Sequence, residues 1–429
     1  ISMLVQAFYN VVDSVFVSRL GENALNAVSL AFPLQQLMIA VCGGTAVGMN
    51  ALLSRALGAK QFDKANKIAN TGIFLFACSY IVFALIGFFF SKPFFLAQTD
   101  VEEIVNYGTD YATICMCGAI GIFSQFCFEK MLQATGRTFC TMLTHLMGTI
   151  VNIVLDPILI FGLFGFPKLE VAGAAIATIS GQIVAGLGAI LFNLKFNKDV
   201  HISFKLIRFN KEIVKEIYKI GLPSIVMQSI GSVMTFCLNK ILIAFTTTAT
   251  AVFGAYFKLQ SFIFMPIFGL NNGMVPIIAY NYGAKRYDRV KKTIVITIIT
   301  AISVMFIGVL AFEFVPHILL GFFNASESML EIGVPALRII GTHLLFAGFC
   351  IIAGSVCQAI GNPNHSLIVS ICRQLVVLLP AAWLLSQTGR LELVWFAFPI
   401  AESVSLILSA IFLKKTLKHA KERMKDLIA

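Results

Sequence analysis

The sequence predicts an all-α integral membrane protein with twelve transmembrane helices in two pseudo-symmetric lobes of six helices each. Three observations lead to this fold class: the composition, the number of long apolar segments, and an internal repeat at a shift of 225 residues. Each of them also limits what the chain can do.

The composition is far more apolar than that of a soluble domain. Of the 429 residues, 58% are hydrophobic and only 12% are charged, and the mean hydropathy is +0.87. Soluble domains contain about 25% charged residues, so this chain belongs in a bilayer. The ten cysteines are scattered through apolar segments without metal-ligand spacing, and we interpret them as small core residues.

Twelve apolar segments are long enough to cross a bilayer, which takes about 20 residues per helix. They are residues 1–18, 28–54, 70–91, 103–132, 140–164, 171–194, 220–245, 250–281, 292–315, 332–359, 365–386 and 393–413.

The distribution of the basic residues, which give the chain a net charge of +11, sets the predicted topology. Alternate loops hold 24 and 4 of the Lys and Arg residues, and four more lie inside the spans. The positive-inside rule therefore predicts that both termini are cytoplasmic. The basic surplus then faces anionic lipid head groups, and we expect no nucleic-acid partner.

An internal repeat divides the chain into two copies. Gly58-Ala59-Lys60-Gln61-Phe62-Asp63-Lys64 returns as Gly283-Ala284-Lys285-Arg286-Tyr287-Asp288-Arg289, and Gln133-Ala134-Thr135-Gly136 returns as Gln358-Ala359-Ile360-Gly361. Each copy holds six spans, so the two halves enter the membrane in the same sense. Parallel repeats of this kind are typical of transporters whose two lobes rock.

The predicted boundaries follow from the repeat. Residues 1–194 form the first lobe, 195–219 a basic cytoplasmic linker with a short amphipathic helix at Lys211–Lys219, 220–413 the second lobe, and 414–429 a basic cytoplasmic tail. Since the chain begins at Ile1 without a basic segment before the first span, we interpret its start as truncated.

The fifth span contains an acid at membrane depth. Asn152 and Asp156 lie one helical turn apart on one face, and Pro157 removes the backbone donor that the carbonyl of Ile153 would otherwise meet. A membrane aspartate costs about 2.5–3.5 kcal/mol on insertion scales. An acid, an amide and a freed carbonyl suggest a cation site; the alternative is a polar pair that joins two helices.

Three further oxygen-bearing side chains share this depth. Counting from the predicted outer ends of their spans places Asp13, Tyr111, Asp156 and Thr178 roughly 8–12 Å below the outer surface. Together they can coordinate Na⁺ or share a proton. For Tyr111 and Thr178, ordinary helix packing is the alternative.

Other polar residues within the spans have different interpretations. Glu402, near the middle of span twelve, either neutralises a cationic substrate or pairs with Lys240, Lys258 or Arg373, and pairing is the favoured interpretation. His343 in span ten is interpreted as a hydrogen-bonded packing residue. HExxH, GxSxG and nucleotide-loop motifs are absent from the sequence, so we do not expect an enzyme.

These motifs resemble the multidrug and toxic compound extrusion (MATE) family. The paired Gly-Ala-Lys loops, Gln-Ala-x-Gly after spans four and ten, Asn10-Val11-Val12-Asp13, and Asn152-x-x-x-Asp156-Pro157 carry the resemblance, which covers essentially the whole chain. It is most similar to the bacterial MepA-like group, near the DinF branch. The resemblance implies two six-helix lobes in a V-shaped arrangement, the MATE/MOP-type fold.

The resemblance also implies a cation site. Asp13, Asn152 and Asp156 match the family's first-lobe cation residues, and Tyr111 and Thr178 match less closely. Asp13 and Asp156 would bind the proton or Na⁺, Asn152 and Thr178 would supply neutral oxygens, and Tyr111 would donate a hydrogen bond. At the 225-residue shift Asp13 maps to Leu238, or to Asn239 if the register slips by one. Asn152 maps to Val377 and Asp156 to Ala381, so no second-lobe cation site is expected.

The resulting hypothesis is an exporter of bulky organic cations that exchanges them for Na⁺ or H⁺ by alternating access. We expect a monomer without a cofactor in a bacterial inner (plasma) membrane, with the lipid bilayer and organic cations as its partners. The alternative is a lipid-linked oligosaccharide flippase of the same superfamily.

Overall fold

The computed structural model describes residues 3–4, 16–17, 19–20, 22–203, 206–323 and 325–426. They divide into two compact units, Ile1–Ile225 and Val226–Ala429, called the first and the second unit below. Most of the predicted first span, including Asp13, lies outside the described residues.

Among the described residues from Glu22 onward, the first unit contains six α-helices and the start of a seventh. They are α1 (Glu22–Gly58), α2 (Phe62–Leu96), α3 (Glu102–Cys117), α4 (Ile120–Ala134), α5 (Thr138–Phe161), α6 (Glu170–Phe196) and α7 (Lys211–Ile243), which continues into the second unit. The second unit adds α8 (Thr247–Gly283), α9 (Tyr287–Phe314), α10 (Pro316–Gly321), α11 (Glu327–Gly341), α12 (Leu344–Ile360), α13 (Pro363–Ile371), α14 (Leu379–Ser386), α15 (Leu391–Val394) and α16 (Ala397–Asp426).

The predicted all-α membrane fold is confirmed. In the described part of the chain, ten helical segments are long and apolar enough to cross a bilayer, and the pair α11 and α12, bent by 48°, makes an eleventh when counted as one span. These eleven segments coincide with the predicted spans two to twelve.

The repeat extends to the backbone conformation. Lys60 and Lys285 both have a positive φ, 57° and 56°, and four hydrogen bonds around each of them recur at the shift of 225 residues. One of these is Gln61 N–H to the Ala56 carbonyl at 2.9 Å, matched by Arg286 N–H to Asn281 at 2.9 Å. Gly136 and Gly361 also share a positive φ. The sequence repeat is therefore a repeat of the same turns.

The predicted linker is a packed part of the first unit. The Asn70 amide donates to the His201 carbonyl at 2.9 Å, and Lys64 pairs with Glu216 at 2.9 Å. The helix predicted at Lys211–Lys219 is not separate, because it is the first part of α7 and runs on to Ile243. Ile217 and Ile220 belong to a buried core with α1, α2 and α4, which explains why this segment is held against the unit.

Helices α5 and α6 approach closely enough for backbone contact. A Cβ atom on Gly148 would lie 2.7 Å from the Gly181 carbonyl oxygen, and one on Gly173 would lie 2.6 Å from Leu159 backbone atoms. Small residues at a helix crossing allow this approach in membranes. The α5–α6 interface is thus fixed on both sides of Asn152 and Asp156.

Candidate cation site in the first unit

The buried face of α5 carries the two residues that the sequence singled out. Asp156 is 0% exposed and Asn152 is 3% exposed. They lie on the same face as Gly148 and Leu159, whose backbones contact α6. The helix continues through Pro157 and ends at Phe161, so the proline lies inside α5 rather than at its end.

Helix α6 supplies the third oxygen of the group. Asn152 Nδ2 donates a hydrogen bond to Thr178 Oγ1 at 3.3 Å. The close Gly148–Gly181 crossing places these residues opposite each other, since each lies about one turn from its glycine. Asn152 Oδ1 is buried and accepts no hydrogen bond from the described residues.

Tyr111 lies on α3 and is 3% exposed. It shares a buried cluster with Ile160, Ala174 and Ala175, residues of α5 and α6 that flank the level of Asp156. Gln35 of α1 donates from Nε2 to Tyr111 Oη at 3.2 Å. Gln35 was not predicted from the sequence as a site residue, although it is the counterpart of Gln260 in the repeat.

The structure therefore brings together part of the predicted set. Asn152 and Thr178 are hydrogen-bonded, Asp156 lies one turn from Asn152, and Tyr111 belongs to the neighbouring cluster. Asp13 lies outside the described residues. Within the described ranges no three His, Cys, Asp or Glu residues cluster as a metal site.

The residue types present fit a small hard cation as cargo. A carboxylate, an amide oxygen and a hydroxyl are the ligands that such ions prefer. Asn152 Oδ1 is buried and meets no donor among the described residues, so it is an acceptor that a cation can satisfy. A proton on Asp156 would neutralise the same carboxylate, so Na⁺ and H⁺ are alternatives at this position.

In the second unit, Glu402 of α16 lies in a buried ion cluster. Its Oε2 is 3.4 Å from Arg373 Nη1 and 3.7 Å from His343 Nδ1, and Tyr256 Oη lies 2.9 Å from His343 Nε2. Two irregular segments position the partners. His343 lies at the break between α11 and α12, and Arg373 lies in π-helical turns at Cys372–Leu378.

Lys240 and Lys258 have other surroundings. Both line a cavity of about 510 Å³ between α7 and α8, with aromatic walls that include Phe236 and Phe257. Lys240 Nζ lies 5.7 Å from the centre of the Phe236 ring. Among the described residues, the ion pairs of Glu402 are with Arg373 and His343 rather than with these lysines.

The fold and the buried polar group define a multi-pass membrane transporter. The chain belongs to the MatE family, whose profile matches residues 1–158 and 223–384. The resemblance to the MATE family and its MepA-like group, expected from the motifs, is confirmed.

Two relatives are called multidrug export protein MepA. The one from Staphylococcus haemolyticus (strain JCSC1435) is 28% identical over 420 residues, covering 98% of this chain and 91% of its own. The one from Staphylococcus aureus (strain bovine RF122 / ET3-1) is 28% identical over 406 residues, covering 94% and 88%.

Solved structures show the same fold. An outward-facing multidrug resistance MATE family transporter of the MOP superfamily matches with a TM-score of 0.91 at 27% identity, over 98% of this chain and 94% of that one. A MOP superfamily transporter from Pyrococcus furiosus, described as having a binding pocket of reverse polarity, matches with the same values. A MATE structure in complex with MaL6 matches with a TM-score of 0.92 at 27% identity, with the same coverage.

Proposed function

We propose that this protein is a secondary active multidrug exporter. It exchanges a coupling cation, Na⁺ or H⁺, for bulky organic cations by alternating access between the two sides of a bacterial plasma membrane. The names of the MepA relatives support multidrug export, and the repeat of six-span units supports rocking of two lobes. The chain works as a monomer with both termini in the cytoplasm.

One observation carries the proposal: a fully buried aspartate on a membrane helix. Asp156 is 0% exposed on α5, one turn from the Asn152–Thr178 hydrogen bond. An acid at this depth costs free energy unless a cation or proton neutralises it. Asp13 completes the site in this proposal, and two carboxylates sharing a dry site cannot both ionise cheaply without a cation.

The coupling cycle follows from this electrostatic requirement. A cation bound at Asp156 neutralises the site and permits the packed α5–α6 interface to stay closed. Loss of the cation leaves a buried charge, which favours the conformation in which water reaches the carboxylate. An inward cation gradient thus biases the equilibrium between the two conformations and drives export.

The test is efflux of a fluorescent organic cation from proteoliposomes under an imposed Na⁺ or pH gradient. We expect Asp156→Asn to abolish gradient-driven efflux while the protein stays folded, because the amide cannot bind a proton and binds Na⁺ weakly. Asp110→Asn, which changes an exposed acid on α3, is the matched control and should transport normally. Unchanged efflux by the Asp156→Asn variant would contradict the proposal.

The cavity beside Lys240 and Lys258 favours a second candidate. Among the described residues, its lining contains two lysines, aromatic walls and no acid, a combination that suits an amphipathic anion. The candidate is a flippase for a lipid-linked oligosaccharide with a pyrophosphate group. Transport of such a lipid by reconstituted protein, with no efflux of organic cations under either gradient, would favour it over the exporter.

A further inference from the structure

A second buried acid lies in the first unit, away from the candidate cation site. Glu129 of α4 is 4% exposed, and its Oε2 is 2.9 Å from Nε2 of His145 on α5. Its Oε1 accepts hydrogen bonds from Thr144 Oγ1 at 2.7 Å and from Gln125 Nε2 at 3.1 Å. Four polar side chains of two helices therefore converge where apolar contacts would be expected.

The hydrogen bonds constrain the protonation state of the histidine. Gln125 Nε2 lies within reach of both Glu129 Oε1 and His145 Nδ1, at 3.1 and 3.3 Å. An amide nitrogen has two hydrogens and donates to both when Nδ1 is an acceptor. His145 then carries its proton on Nε2 and donates it to Glu129. The arrangement fits a neutral imidazole beside an ionised carboxylate.

Binding of one proton to His145 changes one contact in this arrangement, the one between Gln125 and His145. When a proton binds Nδ1, the ring becomes an imidazolium and its pairing with Glu129 becomes an ion pair. The Gln125–His145 contact must rearrange, whereas the Thr144–Glu129 hydrogen bond is kept. The charged groups that act on His145 are Glu129 and Lys130, and Lys130 donates to Gln133 Oε1 at 2.9 Å. Of the three ionisable side chains, histidine is the type whose charge ordinarily changes near neutral pH.

The position of this pair connects it with the candidate cation site. His145, Gly148, Asn152 and Asp156 follow each other at helical spacing on α5, so they lie along one side of that helix. His145 is seven residues from Asn152, about 10.5 Å along the axis. Between them the Gly148–Gly181 backbone contact leaves no room for a side chain. The two polar groups therefore share one helix and are separated by a closed contact.

We propose that Glu129 and His145 form a second proton-binding site, through which the coupling proton passes from the Asp156 level toward the cytoplasm. The proposal rests on the proposed function and makes H⁺ the coupling ion. Separation of α5 from α6 at the glycine contact would admit water between the two sites. A hydrated proton then binds His145 Nδ1 and later leaves to water near the loop at residues 135–137.

The experiment uses full-length protein in proteoliposomes and follows efflux of a fluorescent organic cation between pH 6 and 8. His145→Gln keeps an amide donor near Glu129 but removes the titrating group. We expect the pH-gradient-driven rate to fall about tenfold and the part of its pH dependence that lies near neutral pH to disappear. His317→Gln, an exposed histidine of the second unit, is the control and should keep the wild-type profile. Glu129→Gln provides a second variant should His145→Gln fail to fold. It should also lower the rate, and it should move the profile toward lower pH, because the imidazolium loses its carboxylate partner.

The outcomes separate this inference from the proposed function. Efflux driven by Na⁺ at constant pH, with no effect of a pH gradient on the wild type, overturns the second proton site and leaves cation-coupled export standing. A wild-type rate and pH profile in the folded His145→Gln variant also overturns it. Full activity of Asp156→Asn, in contrast, removes the proposed function itself.

Discussion

Asp156 and Glu402 are both buried acids on membrane helices, yet their surroundings favour different roles. Glu402 has the Arg373 guanidinium and the His343 imidazole within 3.7 Å. Asp156 lies one helical turn from Asn152, which donates a hydrogen bond to Thr178. A carboxylate beside a guanidinium is suited to a permanent pair, whereas we propose that the Asp156 carboxylate exchanges a cation.

Glu402→Gln should destabilise the second unit. Removing one partner of a buried pair leaves the other charge uncompensated, which typically costs about 3–5 kcal/mol. We expect the lower end of that range, because the Arg373 side chain is 29% exposed. Thermal unfolding in detergent measures the change.

The double variant Glu402→Gln with Arg373→Met is the control for this pairing. It removes both charges, so it should recover much of the stability that either single variant loses. Additive losses in the double variant would show that Glu402 and Arg373 are not energetically coupled.

The sequence predicted that Glu402 is a polar residue of interest, but it did not predict which side chain pairs with it. The sequence indicated that Glu402 pairs with a base, but Lys240, Lys258 and Arg373 were all candidates. The π-helical turns at Cys372–Leu378 that present Arg373 were not predicted. Glu129 and His145 were missed for a similar reason. Glu129 precedes Lys130 at the end of a span, where charge is ordinary, and its partner lies on the next helix.

At the scale of elements, the α5–α6 crossing is what positions the candidate site. Backbone contact at Gly148–Gly181 and at Gly173–Leu159 fixes the two helices on either side of Asn152 and Asp156. Hydropathy predicted both helices and nearly their ends. Hydropathy does not determine how each helix is rotated about its own axis. Of the sequence features, only the glycine positions indicate that rotation.

Gly181→Ala should disturb both stability and coupling. Its Cβ would lie 2.5 Å from the Gly148 carbonyl oxygen and 3.1 Å from Asn152 Cβ, so the helices must move apart. Overpacking of this kind costs about 1–3 kcal/mol. We expect lower thermal stability and slower cation-driven efflux than in the wild type.

Gly273→Ala is the matched control, because a Cβ there meets no atom within 4 Å. An alanine in an open helical position should stabilise by about 0.5–1 kcal/mol relative to glycine. If Gly181→Ala unfolds and transports like Gly273→Ala, the close crossing is not what holds the site.

At the scale of the whole molecule, two units with the same turns differ in their buried chemistry. The turns around Lys60 and Lys285 share their hydrogen bonds, and Gly136 and Gly361 share their left-handed conformation. Yet Val377 and Ala381 stand in the second unit where Asn152 and Asp156 stand in the first. The repeat was predictable because turn residues are under backbone constraint, and the asymmetry was predictable because acids in apolar segments are conspicuous.

The distribution of Lys and Arg among the loops also predicts the orientation of the protein in the membrane. Fusions after Lys198 and after Lys168 sample the two sides, and a fusion after Arg423 samples the carboxyl end. We expect green fluorescent protein to fluoresce after Lys198 and Arg423, and alkaline phosphatase to be active after Lys168, because the positive-inside rule predicts cytoplasmic basic loops. This orientation places the Glu129–His145 pair on the cytoplasmic side of Asp156, as outward export driven by inward proton flow requires. Phosphatase activity after Lys198 would show that the orientation is the reverse of the predicted one. The proton would then have to pass along α5 in the opposite direction.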